Sequence, residues 1–552
     1  MVPYPPLVFQ ENRHMRKNRL FVLAQVCWLL LVASCTVGHS GRPAATTAAI
    51  PTKEQVGASQ LPADIAPVRA PFTMPAFRKP SFPAYTRSIV EQGAHTGAKV
   101  TAEIQATIDE VSQHGGGTAV VPAGKWHTGR ISLKSNVNLH LDEGAELYFS
   151  GEVKDYRPAV FTRTEGVEVM SLGACIYANG QQNIAVTGKG KLIGPTQGGS
   201  VRKQTMTHDV VENVVLASTP VAQRVYEGHN GSIVFPPMFI SPINCRNVYI
   251  EGVSLENTAF WNIVPVYCDG VIIRGVTVNS VGIQRGDGID VESSRNVLIE
   301  YCTLSCGDDC FTIKAGRGED GLRVNMPTEN VVVRYCLARE GHGGITCGSE
   351  TAALIRNLYV HDCVFDNTGV GIRFKTRRSR GGGGENLTYE RLRMNLKATA
   401  FHWDMLGSAT HVGALASRLP ALPITPLTPH FANNTARHIL VEQASQFVKV
   451  EAIPETPLTN VLLENIEVNA QKLFTGADLQ GFTVRRATLR TAAAQITLLD
   501  ARQVLFEEVK FVVPGNAVQA TVTGDKSADI RFKNCEPQKP ANWSQPTWNK
   551  QH

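Results

Sequence analysis

The chain has 552 residues, with 54 Lys and Arg against 48 Asp and Glu, a formal net charge of +6 and 43% apolar residues. That composition can bury a large core and excludes a disordered chain. The positive charge is diffuse, with no basic stripe interleaved with aromatics, which argues against a nucleic-acid partner and suits an anionic substrate.

The first element is an address. Met15 to Arg19, MRKNR, is basic; Leu20 to Ser34, LFVLAQVCWLLLVAS, is apolar; Cys35 follows at once. Basic, then apolar, then small residues is the order of a secretory signal, and the run is short for a bilayer-spanning helix. Val32-Ala33-Ser34-Cys35 has the form of a bacterial lipobox. Residues 1–35 are therefore predicted to be a signal peptide of lipoprotein type, with Cys35 lipidated; an ordinary signal with a chance cysteine is the alternative. Export to a bacterial envelope, as a periplasmic or outer-membrane lipoprotein, or to the medium follows. Membrane contact is expected only through that lipid anchor, and the protein is expected to be a monomer. Residues 36–80 are rich in Pro, Ala and Thr without periodicity and read as a flexible tether.

A helix comes next. In TAEIQATIDEVSQHGGG, Thr101 is a candidate N-cap, Ile104, Ile108 and Val111 form one apolar face, and Gly115 to Gly117 stop the helix. Strands follow from Thr118. The helix is predicted to cap the end of a solenoid.

The solenoid is read from a repeat. NVYIEGVSL from Asn247, NVLIEYCTL from Asn296, NVVVRYCLA from Asn330, NLYVHDCVF from Asn357, NLTYERLRM from Asn386 and NVLLENIEV from Asn460 align, with weaker copies at Asn136, Asn183, Gly270, His438, Gly481, Gln503 and Asp529. Starts mostly 21 to 34 residues apart, each unit a strand, a polar bend and another strand, predict an all-β fold. The expected form is a single-stranded right-handed parallel β-helix over residues 81–536. Gly407 to Phe431 lacks the repeat and is Pro- and Leu-rich, so it is predicted to project as a long loop that shapes a site. Residues 537–552 read as a polar tail.

Twelve cysteines in an exported chain raise the question of disulfides. Cys302, Cys336, Cys363 and Cys535 each lie six residues after the first residue of their unit. The first three are on consecutive units and predict a buried ladder of thiols, with a bridge between neighbours the alternative.

The same alignment gathers charged residues. Asp308 lies 12 residues after Asn296 and His342 lies 12 after Asn330, so they share a slot on consecutive coils. Asp287 precedes Asp308 by 21 residues, about one coil. Arg373 and Lys375, just past the slot one coil later, share a face because they are two apart on a strand. A Gly-Asp-Asp alone is most often a turn, a lone His structural, and an Arg-x-Lys a solvated face. Four consecutive coils placing them together shift the balance to a site.

These residues carry a resemblance. RGDGID, GDDC, GHGG and IRFK, one per coil, together with GGGTAVVPAGKWHTGRISLKSNVNLHLDEGAELYFS and ENTAFWNIVPVYCDGVIIRGVTV, resemble glycoside hydrolase family 28, the polygalacturonases and their relatives. The likeness covers about Pro75 to Lys510 and is greatest to bacterial members, many of them exo-acting. In one place the chain departs from the family: Arg285-Gly286-Asp287 stands where polygalacturonases typically have Asn-Thr-Asp or Asn-Asn-Asp.

The resemblance implies hydrolysis of α-1,4-galacturonosyl linkages in pectic polysaccharide or oligogalacturonides, with inversion and without metal or organic cofactor. It implies Asp308 as general acid and Asp287 with Asp309 as the pair that holds and activates water. His342 would hydrogen-bond Asp308 or the substrate, Arg373 and Lys375 would receive a uronate carboxylate, and Arg285 would add a charge for a second anionic group. Hydrolysis needs a carboxylic acid and a carboxylate, and inversion is associated with a separation of about 6.5 to 9.5 Å. Crowded acids raise the pKa of at least one. Hydrolysis of another pectic linkage such as rhamnogalacturonan, a pectate lyase, which would want a Ca²⁺ cage, and a non-catalytic polysaccharide-binding solenoid are the alternatives.

Overall fold

The computed structural model describes residues 49–195, 197–203 and 208–542; the predicted signal, Cys35, residues 36–48 and residues 543–552 lie outside them. The chain winds as a parallel β-helix whose strands pair in register from coil to coil. One column of inward side chains runs Val248, Val271, Val297, Val331, Leu358 and Leu387, each the Cα partner of the next.

The repeat's asparagines have a backbone reason. Asn247, Asn296, Asn330, Asn357, Asn386 and Asn460 all have φ between 53° and 57°. Asn tolerates this left-handed conformation better than other side-chain-bearing residues, and Gly270 and Gly481 stand at the same position. Stacked asparagine amides then bond to one another: Asn357 Nδ2 donates to Asn330 Oδ1 at 3.1 Å and Asn460 Nδ2 to Asn433 Oδ1 at 3.1 Å. The copy predicted at His438 is out of register. Its coil's ladder residue is Asn433, paired to the coil of Asn386, and His438 lies five residues further, at a second left-handed position also taken by Tyr301, Tyr335, Asp362 and Arg391.

Helix Thr101–Gln113 buries Ile104, Thr107, Ile108 and Val111. Its N-cap is Val100 rather than Thr101, whose hydroxyl accepts from Gly129 N at 2.7 Å and so ties helix to coil. At the other end Asn542 closes the edge of strand Gln519–Thr523, accepting from Ala520 N and donating to Ala520 O, both at 2.8 Å. The ten described cysteines are free and buried. Cys302 N lies 3.4 Å from Cys336 Sγ and Cys336 N 3.5 Å from Cys363 Sγ, the predicted ladder.

Residues 49–82 correct the tether prediction. They lie along the outer side of the asparagine-led sheet. Ile65, Val68, Phe72, Met74 and Phe77 cover Leu298, Val332 and Tyr359, which would otherwise face water. Buried arginines take up the strap's carbonyls: Arg274 Nη2 donates to Pro62 O at 2.9 Å and Arg334 Nη2 to Ala66 O at 2.7 Å. A proline-rich segment suits this role because its carbonyls accept although its prolines have no N–H to satisfy.

The coils also carry additions that the repeat did not reveal. An antiparallel hairpin, Val160–Thr164 with Val167–Ser171, helix His208–Leu216 and helix Gly318–Val324 build a second apolar cluster around Val169, Val211, Phe235, Trp261 and Tyr267. They stand beside the predicted site.

Candidate active site

Five strands position the site. Ile289–Glu292, Phe311–Lys314, Leu337–Cys347, Val364–Lys375 and Thr399–Asp404 stack so that Ile289, Phe311, Ile345, Ile372 and Phe401 form one inward column. Alternation turns Asp290, Thr312, Thr346, Arg373 and His402 outward, and two residues on Glu292, Lys314, Lys375 and Asp404. Asp287 and the Asp308–Asp309 doublet sit at the bends just before their strands, where Gly288 N donates to Asp309 O at 3.0 Å.

The structure brings together the acids that the sequence singled out. One oxygen from each of Asp287, Asp308 and Asp309 lies within 4.8 Å of the others. His342 Nδ1 is 3.0 Å from Asp308 Oδ1, and His342 N donates to Asp308 O at 2.9 Å. Lys375 Nζ stands 3.5 Å from Asp309 Oδ2, and Arg373 Nη1 3.9 Å from Asp309 Oδ1. Gly343 is required by closeness: a Cβ there would lie 2.7 Å from Asp309 Oδ1. The Asp308 side chain is 25% exposed and that of Asp309 1%, so Asp308 is the one that faces the cleft.

The triad is tighter than the separation expected for an inverting pair. Adjacent coils and adjacent residues set its size, and nearest oxygens within 4.8 Å fit one water bonded to two carboxylates, since two O–H···O bonds of about 2.8 Å span up to about 5.6 Å.

Arg285 lines the cleft with φ 56° and pairs with Glu165, Nε to Oε1, at 3.5 Å. Its charge therefore already has a counter-ion in the hairpin turn. Glu292, on the neighbouring strand, pairs with Arg163 at 3.4 Å.

Electrostatics divide the acids. Burial pushes the Asp287 carboxyl well above the usual range, and the charges of Asp290 and Asp308 add to it. Burial also acts on Asp308, but the His342 hydrogen bond and then the Lys375 charge outweigh it and draw Asp308 down to about 2. His342 is raised by its bond to Asp308, against burial. Burial pushes Asp290 up to about 8, with Lys314 opposing. These shifts favour a proton on the Asp287–Asp290 side and an ionised Asp308 beside His342.

Sequence reasoning missed the residues around this core. Lys314 is buried between Glu350 at 3.2 Å, Asp290 at 3.5 Å and Asp287 at 4.0 Å, with Nζ 4.3 Å from the centre of the Trp261 ring. Burial would lower its pKa, but the Glu350, Asp290 and Asp287 charges hold it well above the ordinary value. Asp290 ends the quoted RGDGID and Lys314 lies four residues past GDDC; charged residues alternating with inward Ile289, Val291 and Ile313 were the signal. Glu165, Glu212, Arg317, Arg377 and Arg380 also line the cleft of about 390 Å³, as do Asp404, Gly407, Ser408 and His411. Hairpin and helix residues such as Glu165 and Glu212 had no repeat to announce them.

The model of glycosyl hydrolases family 28 matches residues 227–400. A probable polygalacturonase of Vitis vinifera is 26% identical over 418 residues, 72% of this chain and 78% of the relative. The exo-poly-alpha-D-galacturonosidase of Dickeya chrysanthemi is 28% identical over 311 residues, 52% of this chain and 51% of the relative, so the match spans about half of that enzyme. The exopolygalacturonase of Thermotoga maritima superposes with a TM-score of 0.63 at 27% identity, over 72% of this chain and 90% of that one. All the predicted site residues from Arg285 to Lys375 fall inside the family match; Glu165, Glu212 and the loop after Asp404 fall outside it.

Proposed function

We propose that this chain is a glycosyl hydrolase of family 28 and cleaves α-1,4-galacturonosyl linkages of pectin or its oligosaccharides by acid–base catalysis from chain ends. The observation that carries the reading is the triad of carboxylates within 4.8 Å, set beside His342, Arg373 and Lys375 in one cleft. Arg373 and Lys375 receive the uronate carboxylate. Asp308, the accessible member, protonates the leaving oxygen, and Asp287 with Asp309 hold the attacking water.

Substrate itself supplies the proton arrangement. Asp308 is ionised when empty partly because the Lys375 charge favours its carboxylate. A uronate bound to Lys375 and Arg373 cancels that field, so the Asp308 carboxyl rises while a proton leaves the Asp287 side. Inversion is the outcome we assign, with one water shared by Asp287 and Asp309. Proton NMR of the first-formed anomer tests it.

Incubation with polygalacturonate tests the activity: saturated galacturonides with new reducing ends are expected. Products absorbing in the ultraviolet would make the protein a lyase, and no cleavage of any pectic chain would make it a binder. Residues 81–536 are proposed as the catalytic domain, acting as a monomer. Export through the N-terminal segment, with Cys35 carrying lipid in a bacterial envelope, is the matching localisation; Cys35→Ser is expected to release soluble protein.

A further inference from the structure

Beyond Lys375 the cleft contains more positive charge than the mechanism uses. Arg317, Arg377 and Arg380 all line it and are at most 6% exposed. Two of them are paired. Arg317 meets Glu165 at 2.8 Å and Glu212 and Glu350 at 3.1 Å, and Arg380 meets Glu212 at 3.2 Å. Arg377 is different. Its Nη2 donates to Ser349 Oγ at 3.1 Å, while its Nε and Nη1, both buried, make no hydrogen bond. Ser349 in turn donates to Glu350 Oε1 at 3.0 Å, so the one contact Arg377 makes is itself held in place.

A buried guanidinium with idle donors is costly unless something fills them. Burial lowers the Arg377 pKa, with Glu350 opposing and Arg317 adding, and burial with the charges of Arg317 and Arg377 takes Arg380 down to about 9. Both would gain from an anion. Gly407, at the root of the loop after Asp404, lies over the stem of Arg377: a Cβ there would meet Arg377 Cβ and Cδ at 3.3 Å. The side chain is thus clamped on one side by the root of the loop, and the small part of it that is exposed, 6%, belongs to a residue that lines the cleft.

Position supports a substrate anion. Arg373, Lys375 and Arg377 follow one another at every second residue, and Thr376 N still bonds to Asp404 O at 2.8 Å, so the strand direction continues past Lys375. At about 3.3 Å per residue, Arg377 lies roughly 7 Å beyond Lys375 along the backbone.

We propose that Arg377, with Arg380 behind it, is a second carboxylate site of the cleft, which receives the uronate adjoining the one held by Arg373 and Lys375. The site would make the enzyme count two charged sugars. It rests on the galacturonan reading above.

The test is titration calorimetry of digalacturonate and its two singly reduced analogues, each with one galacturonate converted to galactose. All titrations are run in the Asp308→Asn background, so that ligand is bound and not cleaved; this parent is compared with the same chain carrying Arg377→Met or Lys375→Met. A charge-assisted pair is worth about tenfold in affinity or more. The parent is expected to lose about tenfold for either reduction. Arg377→Met should lose about tenfold on digalacturonate and become indifferent to one reduction, and Lys375→Met to the other. Arg377→Lys should recover part of the loss, and an unchanged unfolding midpoint shows that the fold is intact. Arg377→Met losing the same factor on all three ligands, or none, overturns the second site while leaving the galacturonan reading in place. A parent that binds no digalacturonate overturns both.

Discussion

His342 Nδ1 and Asp308 Oδ1 stand 3.0 Å apart although 34 residues separate them, because one turn of the solenoid places them on adjacent coils. The pair couples protonation to coil stacking. His342 keeps Asp308 ionised in the empty site, and Asp308 keeps His342 cationic to a higher pH than a free imidazole.

Asp308→Asn should fold normally and lose at least about a hundredfold in kcat on oligogalacturonides, the usual scale for a general acid. His342→Gln should lose less and shift the pH profile, since it removes the partner that sets the Asp308 protonation. Steady-state kinetics from pH 4 to 8 read both. An Asp308→Asn enzyme with near-parent turnover would end the assignment.

The slot shared by Asp308 and His342 was legible in the sequence because the asparagine positions count coils without a structure. So was the thiol ladder at Cys302, Cys336 and Cys363. Where an insertion breaks the count the reading slips, as at His438, since Asn433 sits just past the long loop. The strap escaped notice for a different reason: proline-rich composition says that a segment lacks periodicity, not that Leu298 and Val332 wait beneath it. Glu165 and Glu212 were invisible because a hairpin turn and a short helix present them, and those are placed only by packing in the cluster of Val169, Val211 and Trp261.

Buried Asp290 gives a prediction in stability. Its carboxyl, pushed up to about 8, binds a proton in the folded chain that the unfolded chain has already released above about pH 4. The folded state therefore holds more protons across this window, and this group's contribution to stability falls as pH rises from about 4 through about 8. Asp290→Asn, which cannot ionise, should flatten the dependence. Denaturant unfolding of parent and variant at pH 5 and pH 8 measures it: the parent should lose more stability between the two pH values than the variant. Parallel slopes would mean that Lys314 keeps Asp290 ionised.

Arg373 and Lys375 both lie near Asp309 and line the cleft, so each is proposed to serve the triad and the substrate alike. Arg373→Ala and Lys375→Ala should lose about tenfold or more in kcat/KM on galacturonan, and much less on its methyl ester, which offers no charge to either. The ratio of the two substrates should fall toward one. Variants that discriminate as well as the parent would show the pair to be structural.

The proposed exo action rests on how the cleft is walled. The loop after Asp404 brings Gly407, Ser408 and His411 to its lining, and the hairpin and helix bring Glu165 and Glu212. The loop is pinned: Arg418 bonds Asp478 at 2.6 Å, and Arg378 bonds Glu455 at 2.7 Å and Ser417 O at 3.0 Å. Arg285, tied to Glu165 in the hairpin turn, is not a lone charge beside the acids. Walls that narrow the cleft favour a chain end, whereas the middle of a long polymer would have to thread between them. Mono- or disaccharide should therefore appear from the first minutes on polygalacturonate, with slow loss of viscosity. Replacing residues 408–428 with a short Gly-Ser linker should open the groove and bring faster viscosity loss per bond cut. If the parent already collapses viscosity before small sugars accumulate, the walls do not close the cleft and the loop serves only to brace the later coils.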